Sequence, residues 1–165
     1  MMSKELKFED YSDEVLAKLK QAGIGWLYDA AGELEAAVIR NTRVGKVAGG
    51  NTKQRWKYIV EEDEYKATIG NTEQTAIWLE FGTGDYALKG NGRKGGWYIP
   101  IGEGDGQISQ AVVDAYNFKV AYGKNGVKYA YTTGMKPQRP LHNAFEKKEA
   151  KIKKLLEEKL KGLGD

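Results

Sequence analysis

Apolar residues recur at three- and four-residue steps along the first quarter of the chain. They are Val15, Leu19, Ala22, Trp26, Ala30, Leu34 and Val38. This spacing places them on one face of a long α-helix. Ser12 offers a capping hydroxyl, and Asp13 and Glu14 follow at the positive end of the helix dipole. We therefore predict a helix that begins near Ser12 and ends near Asn41.

Two stretches alternate between apolar and polar residues, which is the pattern of paired β-strands. In the first, Trp56, Tyr58 and Val60 are followed by Tyr65, Ala67 and Ile69 across an acidic turn at 62–64. In the second, Phe118, Val120 and Tyr122 precede a Gly-Lys-Asn-Gly turn, and Val127, Tyr129 and Tyr131 follow it. An Asn-Gly turn is a strong hairpin signal. A further short strand, Trp97–Pro100, ends in a proline that suits a sheet edge.

Helical spacing returns in mid-chain and at the end. Thr75–Phe81 predicts a short helix that is apolar nearly all round, with Phe81 as its aromatic anchor, and Gly82 after it suits a left-handed cap. Such a helix has to be covered by the chain's own core or by a neighbouring subunit. Ser109–Ala115 predicts one or two helical turns. Pro140 favours the start of a long final helix, whose apolar stripe is Leu141, Phe145, Ile152, Leu156, Leu160 and Leu163.

The order of these elements predicts an α+β fold. We expect an antiparallel sheet of about five strands, packed against a long N-terminal helix and a long C-terminal helix, with a short helix in mid-chain. The chain has 165 residues, enough for one domain with a core, so we expect a single domain over 1–165. Residues 1–10 are expected to be flexible. Its 21 glycines cluster in loops, chiefly 83–96 and 101–109.

Composition excludes several classes of protein. Apolar residues at 41% and charged residues at 30% are typical of a folded soluble domain. The chain has no cysteine, so disulfides, thiolate catalysis and cysteine-ligated metals are excluded. The first ten residues lack the apolar segment of a signal peptide, and no run is long enough to span a bilayer. We therefore expect synthesis and folding in the cytoplasm.

The net charge of +3 is divided into blocks of opposite sign. Residues 1–35 carry a net −4, residues 36–60 a net +6, and 136–165 a net +4, while an acidic run occupies 61–64. The basic block consists of Arg40, Arg43, Lys46, Lys53, Arg55 and Lys57. Blocks of alternating sign suit head-to-tail packing of identical subunits. Because Trp56 and Tyr58 interleave with these cations, the same block is also a candidate nucleic-acid surface.

Three features are candidate chemical sites, and each has a simpler interpretation. Gly90-Asn-Gly-Arg-Lys-Gly95 matches a dinucleotide-binding pattern, but it precedes a predicted strand rather than a helix. His142 is the only histidine and has no nucleophile in a suitable context, which favours a surface or interface role. Glu80 lies among apolar residues, as a general acid does, yet no second carboxylate is well placed. We expect no catalytic residue, cofactor or metal.

Two segments resemble a known family. A hydrophobic Glu80-Phe-Gly-Thr83 turn, an aromatic strand pair, and a Lys136-Pro-Gln-Arg-Pro-Leu141 loop entering the last helix are similar to the head–tail joining proteins of tailed phages. The members of this family are tail-completion or neck-ring proteins. The residues expected in packing and interfaces are Trp78, Glu80, Phe81, Gly82, Thr83, Trp97, Pro140, Leu141 and Phe145.

The resemblance implies a non-enzymatic virion protein that forms a ring, sixfold by analogy, between the tail tube and the head connector. The implied partners are copies of itself, a tail-tube or tail-terminator protein, and a connector or stopper protein. It further implies only transient contact with DNA, no membrane, and a location in the neck or tail after assembly in the host cytoplasm. The alternatives are a small nucleic-acid-binding module that uses Arg40–Lys57 and the C-terminal lysines, and a lytic enzyme built on Glu80.

Overall fold

The computed structural model describes residues 10–47, 50–124 and 126–163. Its helices are α1 (Ser12–Asn41), α2 (Asn51–Gln54), α3 (Gln74–Phe81), α4 (Gln110–Tyr116) and α5 (Pro140–Lys161). Its strands are β1 (Trp56–Glu61), β2 (Lys66–Asn71), β3 (Trp97–Pro100), β4 (Lys119–Tyr122) and β5 (Lys128–Thr132). The α+β class is confirmed, as are both hairpins and the long helices at the two ends. The flexibility expected for 1–10 falls almost wholly outside the described residues.

The prediction of one five-stranded sheet is wrong. The strands form two separate antiparallel sheets, a ribbon of β1 and β2 and a three-stranded sheet in the order β3-β5-β4. The ribbon packs against α1, whereas β3 lies beside the loop at Gly84 through its Trp97 ring. Period-two alternation specifies each local hairpin but does not say which hairpins join, because every strand presents the same pattern.

Helices α1 and α5 form an antiparallel pair. The Trp26 Nε1–H donates to the Ile152 carbonyl at 2.9 Å, and the Asn41 side-chain amide donates to the Pro140 carbonyl at 3.2 Å. Only the second half of the α1 stripe is buried, from Leu27 to Val38. Val15 is 53% exposed and Leu19 is 42% exposed. The predicted apolar face therefore extends beyond what the described residues cover.

The start of α1 differs from the prediction in one detail. The Ser12 hydroxyl does not cap the helix. Instead, Asp10 Oδ1 accepts a hydrogen bond from the Ser12 backbone N–H at 2.9 Å. The residue that flanks the start of the helix is Tyr11, which supplies no side-chain cap.

The core lies where the ribbon crosses the C-terminal half of α1. Trp56 is 3% exposed and clusters with Ala37, Val38, Ala76 and Ala144. Its indole N–H donates to Thr42 Oγ1 at 2.9 Å, and the Thr42 hydroxyl donates to the Val38 carbonyl at 2.8 Å. Both polar groups are thus satisfied inside an apolar cluster, which fixes the ribbon on the helix.

A charged cluster also joins α1 to α5. The Glu33 carboxylate accepts from Lys148 Nζ at 3.0 Å and from Lys151 Nζ at 2.5 Å. These hydrogen bonds, first from Lys151 and then from Lys148, lower the pKa of Glu33 from 4.5 to about 2. The cluster lies one to two helical turns from the Trp26–Ile152 hydrogen bond along the same helix pair.

The lowered pKa of Glu33 predicts an acid-sensitive contribution to stability. A carboxylate with a depressed folded-state pKa stabilises the fold above its unfolded pKa near 4.5, and this contribution is lost as the pH falls towards 2. The melting temperature of the wild-type protein should therefore fall more steeply than that of Glu33→Gln over this interval. Thermal unfolding measured from pH 7 to pH 2 checks this expectation. Parallel curves for the two proteins would contradict it.

Candidate assembly surface

The outer face of α3 is apolar and uncovered. Ile77 is 59% exposed, Trp78 is 42% exposed and Phe81 is 44% exposed, whereas Ala76 and Glu80 on the inner face are buried. The helix itself was predicted correctly, but Phe81 is not the buried anchor that its sequence context suggested. Of the two covers considered for this helix, the chain's own core reaches only the inner face. In the described chain, three adjacent large apolar side chains remain in contact with solvent.

Glu80 caps the start of α5. Its Oε2 accepts from the Leu141 backbone N–H at 2.8 Å and its Oε1 accepts from the His142 N–H at 3.0 Å. Arg139, the residue before the helix, has a left-handed backbone at φ 54° and supplies no side-chain cap. A negative carboxylate at the positive end of a helix dipole is stabilising. Both carboxylate oxygens of Glu80 are therefore bound within the chain.

The two segments that carry the family resemblance lie together. The Thr83 N–H donates to the Met135 carbonyl and the Met135 N–H donates to Thr83 Oγ1, each at 2.9 Å. The Gln138 N–H donates to the Leu79 carbonyl at 2.7 Å. Sequence reasoning named both segments but could not place one against the other, since more than fifty residues separate them.

Gly82 is required where these segments meet. Its φ of 71° confirms the expected positive value, but its ψ of 175° is extended, so the predicted left-handed cap geometry is wrong. A Cβ at this position would lie 2.8 Å from Pro137 Cδ and 2.8 Å from the Tyr86 carbonyl oxygen. Any larger residue would therefore force α3 and the proline loop apart.

Exposed cations surround this junction and lie over aromatic rings. Lys89 Nζ is 5.7 Å from the Phe81 ring centroid, and Lys136 Nζ is 5.5 Å from that of Tyr86. Arg93 lies 5.6 Å from the Trp97 ring. We call residues 81–97 with 133–137 the basic–aromatic layer. This layer was not predicted from the sequence, although Lys, Arg and aromatic residues occur together in 81–97.

The basic block at 36–60 is partly neutralised by the fold. Arg55 pairs with Glu73 at 2.9 Å and Lys57 with Glu35 at 3.7 Å. Lys46 Nζ donates to the Ala115 carbonyl at 2.8 Å, at the C-terminal end of α4. Arg40, Arg43 and Lys53 form no ion pair with any residue of the described ranges. The segment is therefore a set of separate contacts and not a continuous cationic strip.

The aromatic residues of that block are not available for base stacking. Trp56 is buried in the core, and the Tyr58 ring packs edge-on against Tyr28 at 6.5 Å between centroids. Both rings are therefore engaged in packing within the chain. A stacking surface of the single-strand-binding kind needs exposed rings.

The other candidate chemical sites named from the sequence lie in places that suit a structural role. Gly90–Gly95 lies in the loop before β3, not at the start of a helix. His142 Nε2 lies 2.9 Å from Glu146 Oε1 one turn along α5. No group of three or more metal-binding side chains occurs among the residues that the structure describes. In the same ranges, no helix has the length and hydropathy to cross a bilayer.

The chain exposes much more surface than a compact monomer of its mass. Its accessible surface is 12107 Å² for 18.4 kDa, whereas a compact monomer of this mass exposes about 8,200 Å².

Comparison with known families gives a match to part of the chain. Residues 6–82 match the family described as "Bacteriophage HK97-gp10, putative tail-component". The matched region contains α1, the β1–β2 ribbon and α3, and it ends at Gly82. Searches of curated proteins and of solved structures give no match. The exposed α3 face thus lies within the region that is similar to a phage tail-component family, and this match supports the resemblance to tailed-phage head–tail joining and tail-completion proteins.

Proposed function

We propose that this protein is a non-enzymatic, ring-forming subunit of a phage or phage-like particle, at the junction between the tail tube and the head connector. The observation that carries the proposal is the uncovered α3 face, formed by Ile77, Trp78 and Phe81. Contiguous apolar surface of this kind is covered in the working state of a protein. In a tail component, copies of the same chain and the adjoining virion proteins are the available covers.

A ring needs two different faces on each subunit, because head-to-tail contacts close into a ring when the rotation between copies allows it.

The other parts of the proposal follow from the family resemblance. We propose a ring of six copies that contacts a tail-tube or tail-terminator protein on one side and a connector or stopper protein on the other. DNA would pass through the ring and touch it only transiently. The protein would be found in the neck or tail of the particle.

Removal of the α3 indole should separate assembly from folding. Trp78→Ala should leave the free energy of unfolding within about 1 kcal/mol of wild type, because a half-exposed side chain contributes little to the core. The same change should weaken self-association or binding to tail-tube ends by about 2 kcal/mol or more, the loss expected of a central aromatic contact. Light scattering after gel filtration, alone and with tail tubes, measures the second effect.

Tyr122→Ala is a matched control for that experiment. Tyr122 is 73% exposed and lies on β4, an edge strand of the three-stranded sheet. Its removal should change neither stability nor assembly. If the Trp78→Ala protein assembles at the same concentrations as wild type, the α3 face does not form the contact that drives assembly.

Nucleic-acid binding is expected to be weak. Because three of the six cations at 36–60 are engaged within the chain, binding of duplex DNA should be independent of sequence and lost as salt is raised. Fluorescence anisotropy with labelled duplex, at several salt concentrations, measures it. Sub-micromolar affinity at physiological salt that Arg40→Glu with Arg43→Glu abolishes would favour the nucleic-acid-binding alternative.

A further inference from the structure

We propose that the basic–aromatic layer of one copy receives the tip of the β1–β2 hairpin of the next copy. This inference rests on the proposed function as a ring subunit and names the two surfaces that meet. It replaces the block at 36–60, which the sequence suggested as the cationic surface, with a different set of residues.

The two surfaces carry opposite charge. The layer contains one acidic residue, Asp85, and four basic residues, so its net charge is +3. The basic residues are Lys89, Arg93, Lys94 and Lys136. None of these four cations forms an ion pair with a carboxylate of the described ranges, and all four are exposed. The hairpin tip contains four acidic residues, at 61–64, and one basic residue, Lys66, so its net charge is −3. Complementary potentials of this kind set the orientation of association.

The apolar residues of both surfaces favour a protein partner over DNA. Tyr86 is 40% exposed and Leu88 is 50% exposed, beside the half-exposed Phe81 ring. At the tip, Ile59 is 65% exposed and Tyr65 is 47% exposed. A phosphate backbone gains nothing by covering such groups, whereas a hairpin that brings both acids and apolar side chains covers them and pairs the cations.

The tip of one copy is remote from its own layer. The Tyr28 hydroxyl donates to Glu62 Oε1 at 2.9 Å, so the tip lies beside the middle of α1. The layer begins next to Glu80, which caps α5 at Leu141. The neighbouring Pro140 carbonyl accepts a hydrogen bond from Asn41, so the layer begins near the C-terminal end of α1. Thirteen residues of helix separate Tyr28 from Asn41, which is about 20 Å. The two surfaces therefore serve different neighbours, as a head-to-tail ring requires.

Charge reversal on each surface tests the contact. The tip variant is Asp63→Lys with Glu64→Lys, and the layer variant is Lys89→Glu with Lys136→Glu. Each should raise the protein concentration needed for half-maximal assembly by about tenfold or more, because like charges then face each other. The control is Arg40→Glu with Arg43→Glu, which changes charge equally outside both surfaces and should assemble as wild type does.

An equimolar mixture of the two variants gives the sharpest result. The acidic tip of the layer variant then faces the native layer of the tip variant, and the reversed tip faces the reversed layer. The mixture should assemble at close to the wild-type concentration. Failure of the mixture to assemble better than either variant alone overturns the inference. A layer variant that assembles normally but loses DNA binding overturns it as well, and assigns the layer to nucleic acid.

The outcomes for the inference and for the proposed function are distinct. If wild type and all variants assemble equally, the proposed contact is wrong, but the proposed function as a ring subunit stands. If the wild-type protein stays monomeric up to millimolar concentration, the contact between copies is overturned. The proposed function is lost in that case only if the protein is also missing from purified particles.

Discussion

Trp56→Ala should lower the free energy of unfolding by about 3–5 kcal/mol, the usual cost of removing a buried tryptophan from a core. Trp56 is 3% exposed, and its indole N–H is bound to Thr42 Oγ1. The change therefore opens a cavity between the ribbon and α1 and also removes a buried hydrogen bond. Denaturant unfolding followed by circular dichroism measures the loss. In a small domain, a loss of this size is a large share of total stability.

Two other variants serve as comparisons for Trp56→Ala. Trp56→Phe keeps most of the apolar volume and loses the indole N–H, so its cost should be smaller than that of Trp56→Ala. Trp78→Ala removes the same side chain from an exposed position on α3. Equal destabilisation by Trp56→Ala and Trp78→Ala would mean that α3 is covered by the chain itself, contrary to this structure.

Glu80→Ala should lower the free energy of unfolding by about 2–3 kcal/mol, because two hydrogen bonds to a charged group are lost at the start of α5. Glu80→Gln keeps one acceptor oxygen but turns an amide N–H₂ towards a backbone donor. It should therefore lower the free energy of unfolding by less than Glu80→Ala does. The order wild type, Gln, Ala in melting temperature is the expected result.

Two results would contradict this role of Glu80. A Glu80→Gln protein with the wild-type melting temperature but impaired assembly would place the carboxylate at a subunit boundary after all. A Glu80→Gln protein that folds and assembles normally but loses a cell-wall-hydrolysing activity would make Glu80 catalytic, and the structural role of the whole protein would then be wrong.

Local patterns predicted the elements of this fold well. The spacing of Trp26, Ala30, Leu34 and Val38 gave α1, and Pro140 gave the first residue of α5. The arrangement of the sheets was not predicted, because pairing between hairpins depends on contacts distant in sequence. Burial was also overestimated, since periodicity shows that a face is apolar but not what covers it. Val15 and Leu19 continue the α1 stripe into solvent for this reason.

The candidate surface was predicted in part. The Glu-Phe-Gly-Thr turn and the Lys-Pro-Gln loop were named, and the structure brings them together through Thr83 and Met135. The sequence named 36–60 as a possible charged surface, and three of its six cations are engaged within the chain. A count of charges along the chain cannot reveal that Arg55 and Lys57 are neutralised by Glu73 and Glu35, which come from other elements.

Electron microscopy of tail tubes incubated with the purified protein tests whether the protein forms a ring at the tube end. We expect a ring of added density at one end of the tube, and a mass for the bound protein equal to a whole number of copies, six by family resemblance. Unchanged tube ends, with a protein that is monomeric in solution and missing from purified particles, would show that the protein is not a ring subunit of the tail.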